Sequence, residues 1–176
     1  MNPSQLSYFA RYSILATLLG ASCAFALPSD KEQEIHILAK TASANQKDGI
    51  VIYSGDVKLT QGTLEITADK ITLHTNGKQK VETVLAEGTP ARYQQQPDEK
   101  KAVIHAEALT INYNVAKDHV TLDKNAFIEQ NGATTKASRV EYDITSGTVK
   151  ANGNVKANQA DERVEFVIPP QVDKKE

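Results

Sequence analysis

The sequence predicts an all-β protein made of many short antiparallel strands, each with one apolar and one polar face. Three features indicate this class: apolar residues alternate with polar ones, turn-forming Gly and Asn residues separate the runs, and one phrase of sequence recurs. No stretch after residue 26 shows a sustained helical period. Alternation alone leaves a sandwich, a jelly roll and a solenoid open, because each of these folds buries the apolar faces of short strands.

Residues 1–26 are predicted to be a secretion signal peptide that is cleaved. A polar opening with one charge, Arg11, precedes an apolar run over residues 14–24, and Ala24-Phe25-Ala26 offers the small-x-small site that signal peptidase cuts. A retained membrane anchor is the alternative, but this run is shorter than the roughly 20 apolar residues that a spanning helix needs. Export of the chain is therefore expected.

The composition fits an exported protein with a single domain. The one cysteine, Cys23, lies in the predicted signal peptide, so the exported chain is expected to have neither a disulfide nor a free thiol. Acylation of Cys23 is a weaker alternative, since Gly20 stands where a lipobox normally has leucine. Residues 27–170 are long enough for one domain with a core, and residues 171–176 are expected to be a flexible charged tail. Twenty basic and 22 acidic residues, interspersed without a basic cluster, argue against nucleic-acid binding.

The first half of the domain is predicted to be a series of strands and turns. Residues 34–39 make the first alternating run, residues 43–49 a polar turn, and residues 50–73 the next strands. Within these strands the apolar residues change from odd-numbered to even-numbered positions at Gln61-Gly62, and back to odd-numbered positions after Ala68. A one-residue slip exchanges the two faces of a strand, so a turn or a bulge is expected at both places.

Short runs bounded by turn residues continue to the end of the chain. Hairpins or turns are predicted at Asn76-Gly77, Asn131-Gly132, Ser146-Gly147 and Asn152-Gly153, with a polar loop at residues 94–101. A last strand over residues 163–168 is expected to end at Pro169-Pro170, because proline cannot donate to a β-ladder.

Two recurring phrases indicate a supersecondary unit stacked on itself. In the first, an alanine precedes an alternating run, at residues 68–73, 106–111 and 137–142. The second, Gly55-Asp56-Val57-Lys58-Leu59, returns at residues 153–157 and more weakly at residues 88–91 and 124–128. No single unit could bury its apolar face alone, so the copies are expected to stack around a shared interior.

The sequence contains no motif that indicates catalysis, nucleotide binding or a metal site. The histidines are scattered and are expected on strand surfaces: His36, His74, His105 and His119. Acidic residues occur one per strand or turn and are expected to be solvated: Asp56, Asp69, Glu107 and Asp143. A pair of glycosidase carboxylates formed across strands is the alternative. We therefore predict a binding protein and not an enzyme, with no cofactor and no metal ion.

A resemblance to a known family rests on five blocks that occur in order along the chain: Gln33-Glu34-Ile35-His36-Ile37, residues 55–70, Gly88-Thr89-Pro90-Ala91, residues 113–120 and Val167-Ile168-Pro169. Together they resemble the LptA/OstA-like family of periplasmic lipopolysaccharide-transport proteins. The resemblance implies an open β-jelly roll of stacked, V-shaped strand pairs with an apolar interior groove. It also implies lipopolysaccharide as the ligand and head-to-tail self-association into a bridge. The implied partners are LptC of the inner-membrane export complex and LptD of the outer-membrane translocon.

The apolar positions of successive strands are the predicted lining of a groove that binds lipid acyl chains. They are Ile35, Ile37, Tyr53, Val57, Leu59, Leu64, Ile66, Ile71, Leu73, Tyr93, Leu109, Ile111, Tyr113, Val120, Leu122, Val140, Tyr142 and Phe166. Burial explains alternation by itself, so each residue is expected either to touch lipid or only to pack in the core.

The two end strands are expected to present backbone edges to neighbouring protomers. The residues at these edges are Ile35 and Ile37 at one end, and Val164, Phe166 and Ile168 at the other.

Two other functions stay open. A polysaccharide-binding or lyase-type β-solenoid would carry aromatic platforms and clustered carboxylates, which the sequence lacks. A structural scaffold would have many near-identical repeats in place of three drifting ones.

Overall fold

The computed structural model of the protein describes residues 29–78, 80–153 and 163–170. The predicted signal peptide, the charged tail and most of the phrase at residues 153–157 lie outside the described residues. Nearly all of the described chain is strand, which confirms the predicted fold class. A 3-10 turn, Asp30–Glu32, precedes the strands β1 (His36–Leu38), β2 (Thr41–Asn45), β3 (Ile50–Gln61), β4 (Leu64–Thr75), β5 (Val81–Gln95), β6 (Ile104–Asn114), β7 (His119–Gln130), β8 (Ala133–Asp143), β9 (Thr148–Asn152) and β10 (Glu165–Val167).

These strands form one open antiparallel sheet in which β3 to β8 follow one another in sequence order. The strands β1 and β2 both pair with β3, β2 with its first half and β1 with its second. In the same way, β10 pairs with the first half of β8 and β9 with its second half. One end of the sheet is therefore formed by the first strands of the chain and the other by the last. A meander of neighbouring hairpins is not a solenoid, so the topology excludes that alternative.

A line of bulges crosses all the long strands and divides each of them into two halves. The register shifts between Ser54 and Val57 in β3, and corresponding shifts follow in every pair up to β7 and β8. In β3 the inserted residues Gly55 and Asp56 have φ angles of 85° and 47°, a left-handed conformation that glycine adopts without strain. The strand pairs predicted as short are thus halves of strands of 11 to 15 residues.

The sheet folds over along this line, so that its two halves face each other as two walls. We call the half that holds Ile50–Ser54 of β3 the first wall and the half that holds Val57–Gln61 the second wall. Tyr93 in the second wall pairs with Ala106, and Tyr113 lies seven residues further along β6 in the first wall. A flat strand would separate these positions by roughly 20 Å. Their ring centroids are only 6.0 Å apart, in edge-to-face contact, because the walls lie against each other.

Small side chains occupy the fold line, where the walls converge. Cross-strand partners beside the bulges are Val57 with Ala68, Ala91 with Ala108, and Ala126 with Ala137. Of these alanines, Ala91 and Ala108 are completely buried. Packed sheets are normally about 10 Å apart, and this spacing must shrink to nothing at a fold line. Two of the three recurrent alanines of the sequence, Ala68 and Ala137, thus lie at the crease, whereas the crease residue of β6 is Ala108, two positions after the recurrent Ala106.

Four of the predicted turns coincide with those in the structure. The turns at Gln61-Gly62, Asn76-Gly77, Asn131-Gly132 and Ser146-Gly147 all connect consecutive strands, and a bulge follows Ala68 as the parity change predicts. The polar loop predicted at residues 94–101 begins at residue 96, because β5 continues to Gln95. The turn predicted at Asn152-Gly153 adjoins residues outside the described chain and stays a prediction. The polar turn expected at residues 43–49 was wrong in part. Thr41–Asn45 is the strand β2, all five of whose residues are exposed. Polar residues suffice there because an edge strand is held mainly by backbone pairing to β3.

Candidate functional site

The space between the two walls, which we call the trough, is lined by the inward-facing residues of six strands. Most of the residues predicted to line a groove face it and are buried to 5% exposure or less: Val57, Leu59, Leu64, Ile66, Ile71, Leu73, Tyr93, Ile111, Tyr113, Val120, Leu122, Val140 and Tyr142. Ile37 and Tyr53 are half-buried and pack against this cluster. Whether any of them touches a lipid stays a prediction.

Three of the predicted lining residues lie elsewhere. Ile35 and Phe166 are exposed, at 38% and 59%, because they belong to the ends of the sheet and not to its interior. Leu109 is half-buried and outside the core cluster. The register between β6 and β7 shifts between Glu107 and Thr110. The inward-facing residues of β6 therefore have even numbers up to Ala108 and odd numbers from Ile111. A regular alternation carried through the bulge placed Leu109 on the wrong face.

Several residues of the same interior were not among the predicted lining residues. They are Val84, Ala86, Ala91, Ile104, Ala106, Ala108, Ala126 and Ile144. Most of them are alanines, which carry a weak hydrophobic signal. The alternation of Val84 with Ala86, and of Ile104 with Ala106 and Ala108, could have identified them.

The trough opens at the first-wall tip of the sheet, next to β2. A cavity of about 700 Å³ lies there, within the range of pockets that bind small molecules. Its apolar side is formed by Ile50, Val51, Leu73 and Val81, and its mouth by the turns at residues 46–49 and 75–77. Val51 and Val81 also pack against the buried core. This cavity is therefore continuous with the apolar interior.

Three tyrosines give the middle of the trough a polar component. The Tyr93 hydroxyl donates a hydrogen bond to Oε1 of Gln95. The Tyr142 hydroxyl is buried, and the side chain of Gln130 is a polar group that acts on it. Burial raises the pKa of Tyr93 well above its ordinary value, and raises the pKa values of Tyr113 and Tyr142 in the same direction. All three therefore stay neutral at physiological pH.

Charged residues lie on the outer faces of the walls, where they pair across neighbouring strands. The nitrogen–oxygen distances are 2.9 Å for Lys58 and Glu65, 2.8 Å for Lys70 and Glu87, 2.9 Å for Arg92 and Glu107, and 3.1 Å for Arg139 and Asp123. Within the described chain the buried polar residues are Thr72, Gln95 and Thr135, all uncharged. A charged exterior around an uncharged interior suits a ligand that is itself part polar and part apolar.

The two ends of the sheet expose apolar side chains beside short edge strands. Ile35 and Leu38 are 38% and 69% exposed at the first end, and Phe166, Val167 and Ile168 are 59%, 48% and 79% exposed at the last. Val164, also predicted for this edge, is half-buried. The predicted end strands thus lie at opposite ends of the sheet order.

Comparison with known proteins settles the family. The model of the family described as LptA/(LptD N-terminal domain) LPS transport protein matches residues 36–148, from β1 to the start of β9. The chain belongs to this family. Its members include the lipopolysaccharide export system protein LptH of Pseudomonas aeruginosa, which is 37% identical over 159 residues, covering 89% of this chain and 90% of that protein. The lipopolysaccharide export system protein LptA of Escherichia coli K12 is 34% identical over 140 residues, covering 78% and 75%.

A solved structure agrees with the fold of this family member. The crystal structure of LptH, described as the LptA-homologous periplasmic component of the lipopolysaccharide transport device of P. aeruginosa, matches with a TM-score of 0.73. The sequence identity is 34%, and the match covers 81% of this chain and all of that one. The fold is thus the open β-jelly roll that the resemblance implied.

The histidines lie where the sequence predicted, on the strand surfaces. His36, His74 and His105 are exposed and His119 is half-exposed. Among the described residues no group of three or more His, Cys, Asp or Glu side chains is placed to hold a metal ion. Within the same part of the chain, no helix has the length and hydropathy to cross a membrane.

Proposed function

We propose that this protein binds lipopolysaccharide in its trough and carries it across the periplasm, as the names of its relatives suggest. The observation that carries the proposal is the uncharged interior between two walls, which opens at one tip to a cavity with an apolar side. Lipopolysaccharide joins acyl chains to charged sugars, so its chains need shelter from water while its head group does not. The trough shelters the chains and leaves the head group at the mouth.

Binding has to be partial for a transport protein to release its ligand. Each methylene removed from water contributes about 0.8 kcal/mol, so several fully buried acyl chains would exceed any useful affinity. A cavity of about 700 Å³ is much smaller than a complete multi-chain lipid. Shallow entry of the chains keeps the free energy of binding nearly level from one protomer to the next. Directional movement then requires an energy source outside this chain.

The ends of the sheet support head-to-tail assembly. The strands β1 and β10 leave backbone donors and acceptors beside exposed apolar side chains, and such edges accept a further strand. Pairing of one end with the other end of a second copy does not close, so it extends into a bridge. Through the same edges we propose contacts with the related domains of LptC at the inner membrane and LptD at the outer membrane.

Substitutions on adjacent residues of β3 test the trough. Val51 lines the cavity, whereas Ile52 is half-buried and outside the core cluster. Val51→Asp puts a charge where acyl chains would lie, and desolvating a charge costs several kcal/mol. We expect binding of purified lipopolysaccharide to fall at least about tenfold, while Ile52→Asp retains it. Ile66 is a poorer test, because it is fully buried and a charge there would unfold the protein.

Native mass spectrometry measures the bound lipid, and circular dichroism establishes that both variants are folded. Equal binding by the two folded variants would refute the trough as the lipid site. Absence of binding by the unmodified protein would refute the function itself.

A further inference from the structure

The first residues of the chain that the structure describes lie across the mouth of the trough. Each wall ends in a rim of turns. The second-wall rim includes the turn at residues 62–63 and the loop at residues 96–103, and the first-wall rim includes the turn at residues 115–118. Residues 29–32, which contain the 3-10 turn, contact both rims.

Asp30 attaches this segment to the second-wall rim. Its Oδ1 accepts a hydrogen bond from the backbone N–H of Thr63 at 2.6 Å, and its Oδ2 accepts from Oγ1 of Thr63 and from Nε2 of Gln95, both at 2.7 Å. Gly62 adjoins this contact with a φ of 60°, and a Cβ there would collide with the Asp30 carboxylate. The turn at residues 62–63 is therefore shaped to receive Asp30.

Lys31 attaches the same segment to the first-wall rim. Its Nζ lies 2.7 Å from Oδ2 of Asp118. Asp118 is fixed in turn, because its carbonyl accepts a hydrogen bond from the N–H of Ile144 at 2.9 Å. Two consecutive side chains, one acidic and one basic, thus join rims that belong to opposite walls.

The segment covers the tyrosines that bring the walls together. Gln95, which binds Asp30, also accepts the hydrogen bond of the Tyr93 hydroxyl, and Tyr93 contacts Tyr113 of the other wall. A cavity of about 490 Å³ is lined by the segment and by both rims, including Thr63, Gln96, Asp118 and Ile144. Opening the trough in its middle requires Tyr93 and Tyr113 to separate, and the segment ties together the two walls that carry them.

We propose that residues 29–32 are a releasable latch, and that acyl chains enter the middle of the trough from the side when the latch detaches from Asp118. The proposal rests on the lipid-binding function given above. The side chains of Lys31 and Asp118 are 42% and 28% exposed. Ion pairs this exposed are individually weak, which suits a contact that must break and re-form. A ligand that binds only the open form has an apparent affinity reduced by the closed fraction.

Breaking the ion pair tests the latch. Lys31→Glu places like charges at the first-wall rim, so we expect fluorescently labelled lipopolysaccharide to be taken up about twofold to fivefold faster. Adding Asp118→Lys restores an opposite-charge pair and should return the rate towards that of the parent. Lys100→Glu makes the same charge change in the exposed loop of the second-wall rim and should leave the rate unchanged.

Closing the latch covalently gives the opposite result. In a Cys23→Ser chain, Lys31→Cys and Asp118→Cys are bridged with a bis-maleimide whose spacer contains a disulfide. Uptake should fall at least tenfold, and reduction of the spacer should restore it. If the bridged protein takes up lipid as fast as the unbridged one, the latch is refuted while the trough stands. If the unmodified protein takes up no lipid, the proposed function fails first.

Discussion

The identities of single residues along the crease determine how closely the walls can approach. Ala91 and Ala108 face each other across β5 and β6 with no exposed surface, so nothing can move aside for a larger side chain. Further from the crease the same strands carry Tyr93 and Tyr113, whose rings meet across the trough. Side-chain size therefore grows with distance from the fold line, as a wedge-shaped interior requires.

Enlarging a crease alanine should destabilise the protein. We expect Ala108→Leu to lower the free energy of unfolding by about 1–3 kcal/mol, the usual cost of adding volume to a closed core. Ala133→Leu, at an exposed position of β8, should change it by less than about 0.5 kcal/mol. Urea unfolding followed by circular dichroism measures both. Equal stability of the two variants would contradict the wedge-shaped interior.

The long strands work as bent elements, and their ends have different roles. Alternate strands carry the inserted residues at the bulge, such as Gly55-Asp56 in β3 and Lys124-Asn125 in β7, all four in the left-handed region. The outermost partners β1 and β10 are only three residues long. Short edge strands limit uncontrolled aggregation yet still offer a ladder to one more strand.

Proline in the last strand tests assembly through that edge. Val167 pairs with Thr134 of β8, and Val167→Pro removes a backbone donor without touching the trough. We expect shorter oligomers while the monomer keeps its lipid binding. Glu99→Pro, in the turn that the Lys101 N–H to Asp98 carbonyl bond closes, is the control, because proline suits that turn position. Light scattering across a concentration series measures the oligomers, and rods as long as those of the parent would exclude this edge as the joining surface.

The whole molecule depends on a neutral interior, which gives its stability a pH dependence. Burial raises the pKa values of Tyr93 and Tyr113 in the folded state, whereas the unfolded chain titrates near pH 10. Above that pH the unfolded state loses protons that the folded state keeps, so stability is complete below about pH 10 and falls as the pH rises further.

Alkaline unfolding should therefore be cooperative with tyrosine ionisation. We expect a single transition above about pH 10, in which absorbance at 295 nm and loss of strand circular dichroism change together. Tyr93→Phe should shift the transition to higher pH, because one ionisable group is removed from the interior. Tyrosine ionisation completed before any strand is lost would show that these side chains are accessible in the folded state.

Much of the fold could be predicted from local pattern. Alternation located the strands, and Asn-Gly or Ser-Gly pairs located their turns, because both depend on residues adjacent in sequence. The same reasoning failed at Leu109, since a bulge changes parity without a clear residue signal. It also failed at β2, where small and polar residues 41–45 pair with β3 mainly through their backbone. Membership of the lipopolysaccharide-transport family followed from the order of several weak motifs, none of which decides it alone.

The sequence by itself determined the fold class, most of the turns, the two faces of most strands and the family. Only the tertiary structure decided which inward residues are sealed between the walls and which, like Val51, line an open cavity. It also decided that Lys31 meets Asp118, 87 positions away, and that Tyr93 meets Tyr113. The physical reason is that alternation encodes the side of the sheet on which a residue lies, whereas contact across the trough depends on how the bulges fold one wall onto the other.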